Sequence, residues 1–342
     1  REVRLRARGA PAYRPMIRIC VAAMVLFGSE PAHAYLKLGA AINGTVVDVT
    51  WHEPVRYFIA ERGVSGVSAA DLRAAVERAT ATWSAVESAR VRFEFQGMTS
   101  AVPDAVDGRT TIGFLERTDL EQVLGATSFM IDETNGAIVE ADIFFNSRFN
   151  WSVSPSGTPA RVDLESVALH ELGHLLGLSH SAVGETDQVI GSDNRRVIAT
   201  GAVMFPIAMS SGAIAERVLH GDDIAGISDL YPGPSVMVDT GSIVGRVTKN
   251  GQGVVGAHVV AFDPETGVLI GNFSLNPQGD FVIARLPPGP YVLRVEPVDD
   301  ADPESFFSTP IDADFRVTYA PRMVVAPAGG SSRSIEIRVS PK

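Results

Sequence analysis

The chain has 342 residues, a formal net charge of −11 and a hydrophobic fraction of 45%. Its acidic balance argues against nucleic acid or an anionic membrane surface as a partner. The length suggests two domains, each large enough to bury a core of its own.

Residues 1–34 are predicted to be a signal peptide. Two arginines precede the apolar run Ile19–Phe27, and Ala32-His33-Ala34 has the small-x-small pattern of a cleavage site. The run is too short to cross a bilayer, which takes about 20 residues. We therefore expect cleavage after Ala34, a secreted product and no membrane insertion of the mature chain. Residues 1–15 lie upstream of a methionine and could be untranslated.

Removing this segment changes the balance of charge and sulfur. It takes away six basic and two acidic residues, which leaves 23 basic against 38 acidic residues and a net charge of −15. The single cysteine, Cys20, leaves with it. The mature chain would then have neither a disulfide nor a thiol, so its stability must come from packing and from bound metal.

Strands and one helix are predicted before residue 150. The capping-box-like pair Ser68 and Asp71 starts a helix that the apolar spacing carries to about Val86. The Asn-Gly step in Asp132–Gly136 predicts a hairpin between the last two strands of this region. Alternating and apolar runs place strands at Val46–Val49, Val55–Ile59, Val91–Phe95, Thr110–Leu115, Gly125–Ile131 and Ala137–Phe145.

The segment DLESVALHELGHLLGLSHS, residues 163–181, contains His-Glu-x-x-His-x-x-Gly-x-x-His. On a helix, His170 and His174 project from one face about one turn apart, which suits two ligands of one metal ion. Glu171 lies beside them and could act as a base. Gly177 allows the left-handed residue that would end the helix and turn His180 towards the same metal. Three neutral imidazoles with an open fourth position are typical of a catalytic zinc.

Between His180 and Met204 lie residues whose glycines and aspartates predict irregular structure. Beyond the Pro/Gly-rich linker at 231–234, the pattern changes to short alternating strands, which predict a β-sandwich. These strands are Ile243–Thr248, Val254–Phe262, Val268–Phe273, Phe281–Ala284, Tyr291–Val295 and Ile335–Val339. The cluster of Asp299, Asp300 and Asp302 is either a calcium ligand set or, more simply, a solvated acidic loop.

The motif of residues 170–180 resembles that of the metzincin zinc peptidases. Ala202–Pro206 is similar to the Met-turn of that clan, and His220–Tyr231 is similar to the final helix of its matrixin branch. The resemblance extends over Tyr35–Pro232. In the C-terminal part, Gly245-x-Val247, Gly256–Val259 and Leu286–Tyr291 resemble the carboxypeptidase-regulatory-like modules of secreted proteins.

This resemblance implies an α+β metzincin-type domain at residues 35–233, with a mixed, mostly parallel sheet and a zinc helix. An all-β sandwich would follow at 241–342. It also implies that Met204 packs beneath the metal without binding it. The strand Gly125–Met130 would be the sheet edge to which an extended substrate adds itself, with Ala126, Thr127, Ser128 and Phe129 as substrate-binding residues. An ordinary sheet edge is the alternative.

The chemistry expected from these parts is that of a secreted zinc endopeptidase acting on protein or peptide substrates. A zinc-bound water would attack the peptide carbonyl, with Glu171 as general base. One alternative is an adhesion or binding protein with a vestigial peptidase domain; the other is a zinc hydrolase of non-peptide amides or esters. The C-terminal module could bind a surface or the substrate. Structural calcium stays open, with Asp132, Glu133 and Asp142 as candidates.

Overall fold

The computed structural model describes residues 16–20, 37–189, 195–307 and 310–342, the first range by its backbone only. The strands up to residue 200 are β1 (Met16–Cys20), β2 (Gly39–Ile42), β3 (Thr45–Asp48), β4 (Val55–Ala60), β5 (Phe93–Thr99), β6 (Thr110–Leu115), β7 (Gly125–Asp132), β8 (Ile138–Asn146), β9 (Trp151–Ser152), β10 (Val162–Asp163), β11 (Gly184–Gln188) and β12 (Arg195–Thr200). The helices are α1 (Ala69–Ser84), α2 (Leu164–Leu175), α3 (Gly221–Leu230) and α4 (Val236–Asp239), with 3-10 turns at Ala215–Arg217 and Pro303–Ser305. The strands of the C-terminal module, residues 241–342, are β13 (Gly241–Lys249), β14 (Gln252–Gly253), β15 (His258–Phe262), β16 (Leu269–Phe273), β17 (Asp280–Leu286), β18 (Gly289–Glu296), β19 (Thr318–Tyr319), β20 (Val324–Ala326) and β21 (Ile335–Val339).

A six-stranded sheet in the order β1-β7-β8-β6-β4-β5 forms the centre of the N-terminal part. The pairs β4–β5, β4–β6 and β6–β8 are parallel, while β7 runs antiparallel to β8 and β1 antiparallel to β7. Helices α1 and α2 pack against each other, and α2 contacts β7 and β8. The predicted α+β class with a mixed, mostly parallel sheet is confirmed.

Helix α1 begins where the sequence predicts. The Ser68 hydroxyl accepts a hydrogen bond from the Asp71 main-chain N–H, and the Asp71 carboxylate accepts one from the Ser68 N–H, which is a complete capping box. The helix ends at Ser84, two residues before the predicted end. Its last buried residue, Trp83, donates from its indole N–H to the carbonyl of Leu169 at 2.9 Å and so ties α1 to α2.

The predicted signal peptide lies outside the described residues except for β1. The backbone of β1 pairs with Ser128–Asp132 of β7. The edge strand predicted at Gly125–Met130 is therefore covered over its C-terminal part, whereas Gly125–Thr127 pairs only with β8 among the described residues.

Irregular structure was expected between His180 and Met204, and the structure differs. Strands β11 and β12 form an antiparallel pair from Gly184 to Thr200 with a shift of register after Glu185. The residues of β11 and β12 alternate only weakly between buried and exposed positions, so the sequence pattern, with its glycines and aspartates, did not predict these two strands.

The C-terminal module is built from two sheets, as the predicted sandwich requires. One has the order β14-β13-β17, with β21 pairing in parallel with β13. The other has the order β16-β15-β18-β19, with β20 pairing with β18. The six predicted strands of this region all overlap strands of the structure, and the short β14, β19 and β20 were not predicted.

Three apolar clusters stabilise the chain. The largest joins the sheet of the N-terminal part to α1 and α2, and the second fills the module between its two sheets. The third is shared between the two parts, because Val197 and Phe205 pack there with Phe273, Phe306 and Phe307. None of the helices in the described ranges is long and apolar enough to cross a membrane.

Candidate metal centre

The ends of helix α2 are fixed by the two residues that the sequence indicated. The Asp163 carboxylate accepts a hydrogen bond from the Ser166 N–H at 2.9 Å and caps the first turn. At the other end Gly177 has a φ of +98°, and a Cβ there would lie 2.2 Å from the carbonyl oxygen of Val49. Only glycine fits this left-handed position, so the chain leaves the helix there.

Three imidazoles converge at the end of this helix and just beyond it. The ring centroids of His170 and His174 lie 4.7 Å apart. The ring centroid of His180 lies 5.5 Å from that of His170 and 4.8 Å from that of His174. The Nε2 atoms of His174 and His180 are 3.2 Å apart, and one ring nitrogen from each of the three lies within 4.8 Å of the others. The structure therefore brings together the three residues predicted as ligands.

Each imidazole has a main-chain carbonyl beside its Nδ1. His170 Nδ1 lies 2.7 Å from the Val203 oxygen, His174 Nδ1 lies 2.9 Å from the Leu178 oxygen, and His180 Nδ1 lies 2.8 Å from the Ser305 oxygen. A carbonyl oxygen only accepts hydrogen bonds, so we assign the proton of each neutral ring to Nδ1. The three Nε2 lone pairs are then left to face one another.

Burial keeps these rings neutral. It lowers the pKa of His170 to about 4, an effect that the neighbouring His180 reinforces and the hydrogen bond to Val203 opposes. The pKa values of His174 and His180 are lowered mainly by burial as well. Three uncharged nitrogens that face one another repel through their lone pairs, and a cation between them removes that repulsion.

The arrangement fits zinc. Zn–N bonds of about 2.0–2.1 Å in tetrahedral geometry place neighbouring nitrogens about 3.3–3.4 Å apart. The His174–His180 separation of 3.2 Å is close to that value. Three neutral nitrogen donors with carbonyl partners on their far sides are a donor set that zinc accepts.

Met204 packs against the helix that carries the first two ligands. A Cβ placed on Gly173 would lie 2.2 Å from the Met204 sulfur and 3.0 Å from Cζ2 of Trp83. The glycine thus allows the methionine to approach the helix closely, and Met204 is only 2% exposed. The predicted role of Met204 beneath the metal stays a prediction.

Asp223, which no sequence pattern marked as part of the site, anchors the Met204 segment. Its carboxylate accepts hydrogen bonds from the N–H groups of Val203 at 2.8 Å, Met204 at 3.1 Å and His220 at 2.9 Å. Burial raises the pKa of Asp223 to about 7, and these donors oppose that rise. Since the Val203 carbonyl contacts His170, Asp223 also holds one of the supports of the metal ligands.

Glu171 is buried between the helix and strand β7. The Thr127 hydroxyl lies 2.8 Å from Glu171 Oε2, to which it can donate, and 3.1 Å from the Glu171 carbonyl oxygen. A Cβ on Gly125 would lie 3.0 Å from Glu171 Oε1, so the glycine leaves room for the carboxylate. Burial raises the pKa of Glu171 to about 7, and the Thr127 hydroxyl opposes that rise. A carboxyl group with such a pKa can accept and return a proton near neutral pH.

The other predicted substrate residues lie on the same strand. Ala126 is half-buried, whereas the side chains of Thr127, Ser128 and Phe129 are buried. Their role towards a substrate stays a prediction. The structure adds that Thr127 contacts the predicted base directly, a contact that a sequence pattern does not reveal.

The calcium candidates do not come together. Asp142 accepts hydrogen bonds from the N–H groups of Thr111 and Ala105, and Asp132 caps its own turn through Thr134. In the module, Asp300 contacts Thr186. Within the described ranges, the three histidines are the only group of three or more His, Cys, Asp or Glu side chains close enough to hold a metal ion.

Comparison with known families and proteins agrees with this geometry. The family model described as Matrixin matches residues 50–190, and the one described as Carboxypeptidase regulatory-like domain matches residues 242–301. The first match includes the three histidines and Glu171 but ends before Met204.

Curated relatives include Metalloendoproteinase 5-MMP of Arabidopsis thaliana, which is 46% identical over 72 residues, 21% of this chain and 15% of that protein. Stromelysin-1 of Mus musculus is 34% identical over 104 residues, 30% of this chain and 18% of its own. Metalloendoproteinase 1-MMP of Arabidopsis thaliana is 28% identical over 190 residues, 53% of this chain and 44% of its own. The chain thus spans less than half the length of each of these relatives. It carries a matrixin domain followed by a carboxypeptidase regulatory-like domain.

Proposed function

We propose that this protein is a secreted zinc endopeptidase in which His170, His174 and His180 hold the metal and Glu171 is the general base. The observation that carries the proposal is the convergence of three neutral imidazoles, with two Nε2 atoms 3.2 Å apart. Bound there, zinc would supply an acidic water and polarise the carbonyl of the scissile bond.

Glu171 would take a proton from the attacking water and later return it to the leaving amine. Its raised pKa, about 7, suits both steps because the group exchanges protons readily near neutral pH. Thr127 would hold one carboxylate oxygen, so that the other is directed to the reacting water. The surrounding burial excludes bulk water and strengthens these interactions.

A protein or peptide in extended form is the substrate that the sheet edge suits. The main chain of Gly125–Thr127 has no partner strand on its outer side among the described residues, and this segment lies beside Glu171. The antiparallel pairing of β1 with Ser128–Asp132 supports an edge able to accept a further strand. Cleavage after Ala34, as predicted, would also free Ser128 and Phe129 for a substrate.

A vestigial peptidase domain with a binding role is less well supported. Such domains commonly lose the base or a ligand, whereas this chain keeps His170, His174, His180 and Glu171. The three histidines lie close to one another and Thr127 contacts Glu171, which supports the peptidase proposal. Secretion rests on the predicted signal peptide, and the acidic mature chain fits an extracellular protein without nucleic-acid partners.

The test is Glu171→Ala in the purified protein, with Glu265→Ala as control, because Glu265 is an exposed carboxylate in the module. We expect Glu171→Ala to keep one zinc per chain and to lose at least about a hundredfold in peptide cleavage, the usual scale for a general base. The control should cleave like the wild type. Wild-type turnover in Glu171→Ala would refute the mechanism, and a wild-type chain without zinc would refute the metal site.

A further inference from the structure

A turn of the C-terminal module contacts the third metal ligand. The 3-10 turn Pro303–Ser305 ends with its Ser305 carbonyl oxygen 2.8 Å from Nδ1 of His180. The next residue, Phe306, is fully buried, and its ring meets the His180 ring edge-on with centroids 6.4 Å apart. The module therefore supplies both a hydrogen-bond acceptor and a packing surface to this imidazole.

The origin of this contact sets His180 apart from the other two ligands. His170 and His174 are oriented by the carbonyls of Val203 and Leu178, which belong to the N-terminal part. Only His180 receives its carbonyl from a segment 125 residues further along the chain. A His side chain without such a partner is free to change its tautomer or its rotamer.

The turn is held by packing that involves both parts of the chain. Phe306 and Phe307 lie in one apolar cluster with Phe273 of the module, and with Val197 and Phe205 of the N-terminal part. The ring centroids of Phe273 and Phe306 are 5.6 Å apart. Packing in this shared cluster thus helps to fix the position of the turn relative to His180.

Polar contacts fix the same interface. The Thr186 N–H donates to Asp300 Oδ1 at 2.7 Å, and the Gly271 N–H donates to Asp222 Oδ1 at 2.7 Å. At the C-terminal end of α3, Arg285 and Asp229 form an ion pair at 3.0 Å. Contacts from three different segments mean that the module is docked on the N-terminal part and is more than a tethered attachment.

We propose that the C-terminal module is a positioning element of the metal centre, in which the Ser305 carbonyl orients His180 and fixes the proton on its Nδ1. The inference rests on the proposed metal binding, but it assigns the module a role that a surface-binding domain would not have. Partners of this kind typically change metal affinity by roughly 10- to 100-fold.

The test compares two substitutions of equal size in the full chain. Phe306→Leu loosens the packing that holds the Ser305 carbonyl, whereas Phe315→Leu removes the same volume from the module's own core, where Phe315 is also fully buried. Zinc affinity is measured by competition with a chromophoric chelator, and the ligand geometry by the absorption spectrum of the cobalt-substituted protein. We expect Phe306→Leu to bind zinc about tenfold or more weakly, with an altered cobalt spectrum, and Phe315→Leu to match the wild type in both.

Three outcomes would overturn the proposal. These are wild-type zinc affinity and cobalt spectrum in Phe306→Leu, equal losses in both variants, or a wild-type chain that binds no zinc, which would also refute the proposed function. A measurement on the wild type covers the case in which Phe306→Leu does not fold. Nitrogen NMR shifts of the zinc-free protein should show neutral His180 protonated at Nδ1, beside the Ser305 carbonyl, and protonation at Nε2 would overturn the inference.

Discussion

Replacing Gly173 with alanine should destabilise the protein, although the same change stabilises most helices. Alanine is normally favoured over glycine inside a helix by about 1 kcal/mol. Here the added Cβ would lie 2.2 Å from the sulfur of Met204 and 3.0 Å from Trp83 Cζ2, far inside the usual contact distance. Both neighbours are buried, Met204 at 2% exposure and Trp83 at 0%, so neither can move aside into solvent.

Overpacking of this kind costs about 1–3 kcal/mol and occasionally more. After subtraction of the helix-propensity gain of about 1 kcal/mol, the expected net loss for Gly173→Ala is up to about 2 kcal/mol in the free energy of unfolding. Chemical denaturation of the zinc-free and zinc-loaded protein measures it. In a double-mutant cycle with Met204→Ala, the two changes together should cost at least about 1 kcal/mol less than their sum, because the truncated side chain no longer meets the new methyl group. A Gly173→Ala protein that is more stable than the wild type by about 1 kcal/mol, as helix propensity alone predicts, would refute the close packing of Met204 on the helix.

Two further predictions concern strands β7 and β8. Thr127→Val should lower kcat/KM for peptide cleavage by roughly tenfold to a hundredfold, because it removes a hydrogen bond to a charged group that is worth about 1.5–3 kcal/mol. Thr127→Ser keeps a hydroxyl and should retain most of the wild-type kcat/KM. Equal rates for the valine and serine variants would contradict this prediction. Burial raises the pKa of Asp142 from 3.8 to about 7, so the folded state holds this proton more tightly than the unfolded state, and the wild type should lose stability as the pH rises from about 4 to 7. Asp142→Asn should make this decline shallower, by a few kcal/mol at most over the whole range, when the free energy of unfolding is measured at each pH. If the free energies of the two proteins fall in parallel with pH, the prediction is wrong.

The parts of the metal centre that the sequence predicts are side chains with a chemical signature. The spacing of His170, His174 and His180 predicts the candidate ligands, and the structure brings these residues together. Asp163 and Gly177 mark the ends of the helix because capping and left-handed backbone each demand particular residue types. These features are local. They depend on residues within a few turns of one another, and a pattern along the chain records them directly.

The supports of the ligands could not be predicted in the same way. The carbonyls of Val203, Leu178 and Ser305 orient the three imidazoles, and a main-chain carbonyl is present at every residue. The amino-acid sequence therefore does not distinguish a main-chain carbonyl that faces a histidine from one that does not. Asp223 could not be predicted for a related reason. Its carboxylate oxygens anchor the Met204 segment only because the fold places three N–H groups around them.

The contact between the C-terminal module and the N-terminal part could not be predicted, because the linker sequence is typical of two domains that do not pack on each other. A Gly/Pro-rich segment at 231–234 predicts a flexible joint, and each part does have an apolar core of its own. The third cluster, in which Phe205 packs with Phe306, joins residues 101 positions apart, and no periodicity in the sequence connects them. Long-range packing of this kind is visible only in three dimensions.

The three imidazoles therefore depend on three separate pieces of chain. Leu178 follows directly from the helix, Val203 belongs to the segment anchored by Asp223, and Ser305 belongs to the module. A chain in which only α2 has formed holds two ligands on one helical face, with one of their two carbonyl partners nearby. For all three imidazoles to have their carbonyl partners, the Met204 segment and the module must be packed as well. If zinc binds the complete set most tightly, as proposed, its binding should stabilise the interface between the two parts as well as the site itself. A ligand that prefers one state favours every contact on which that state depends.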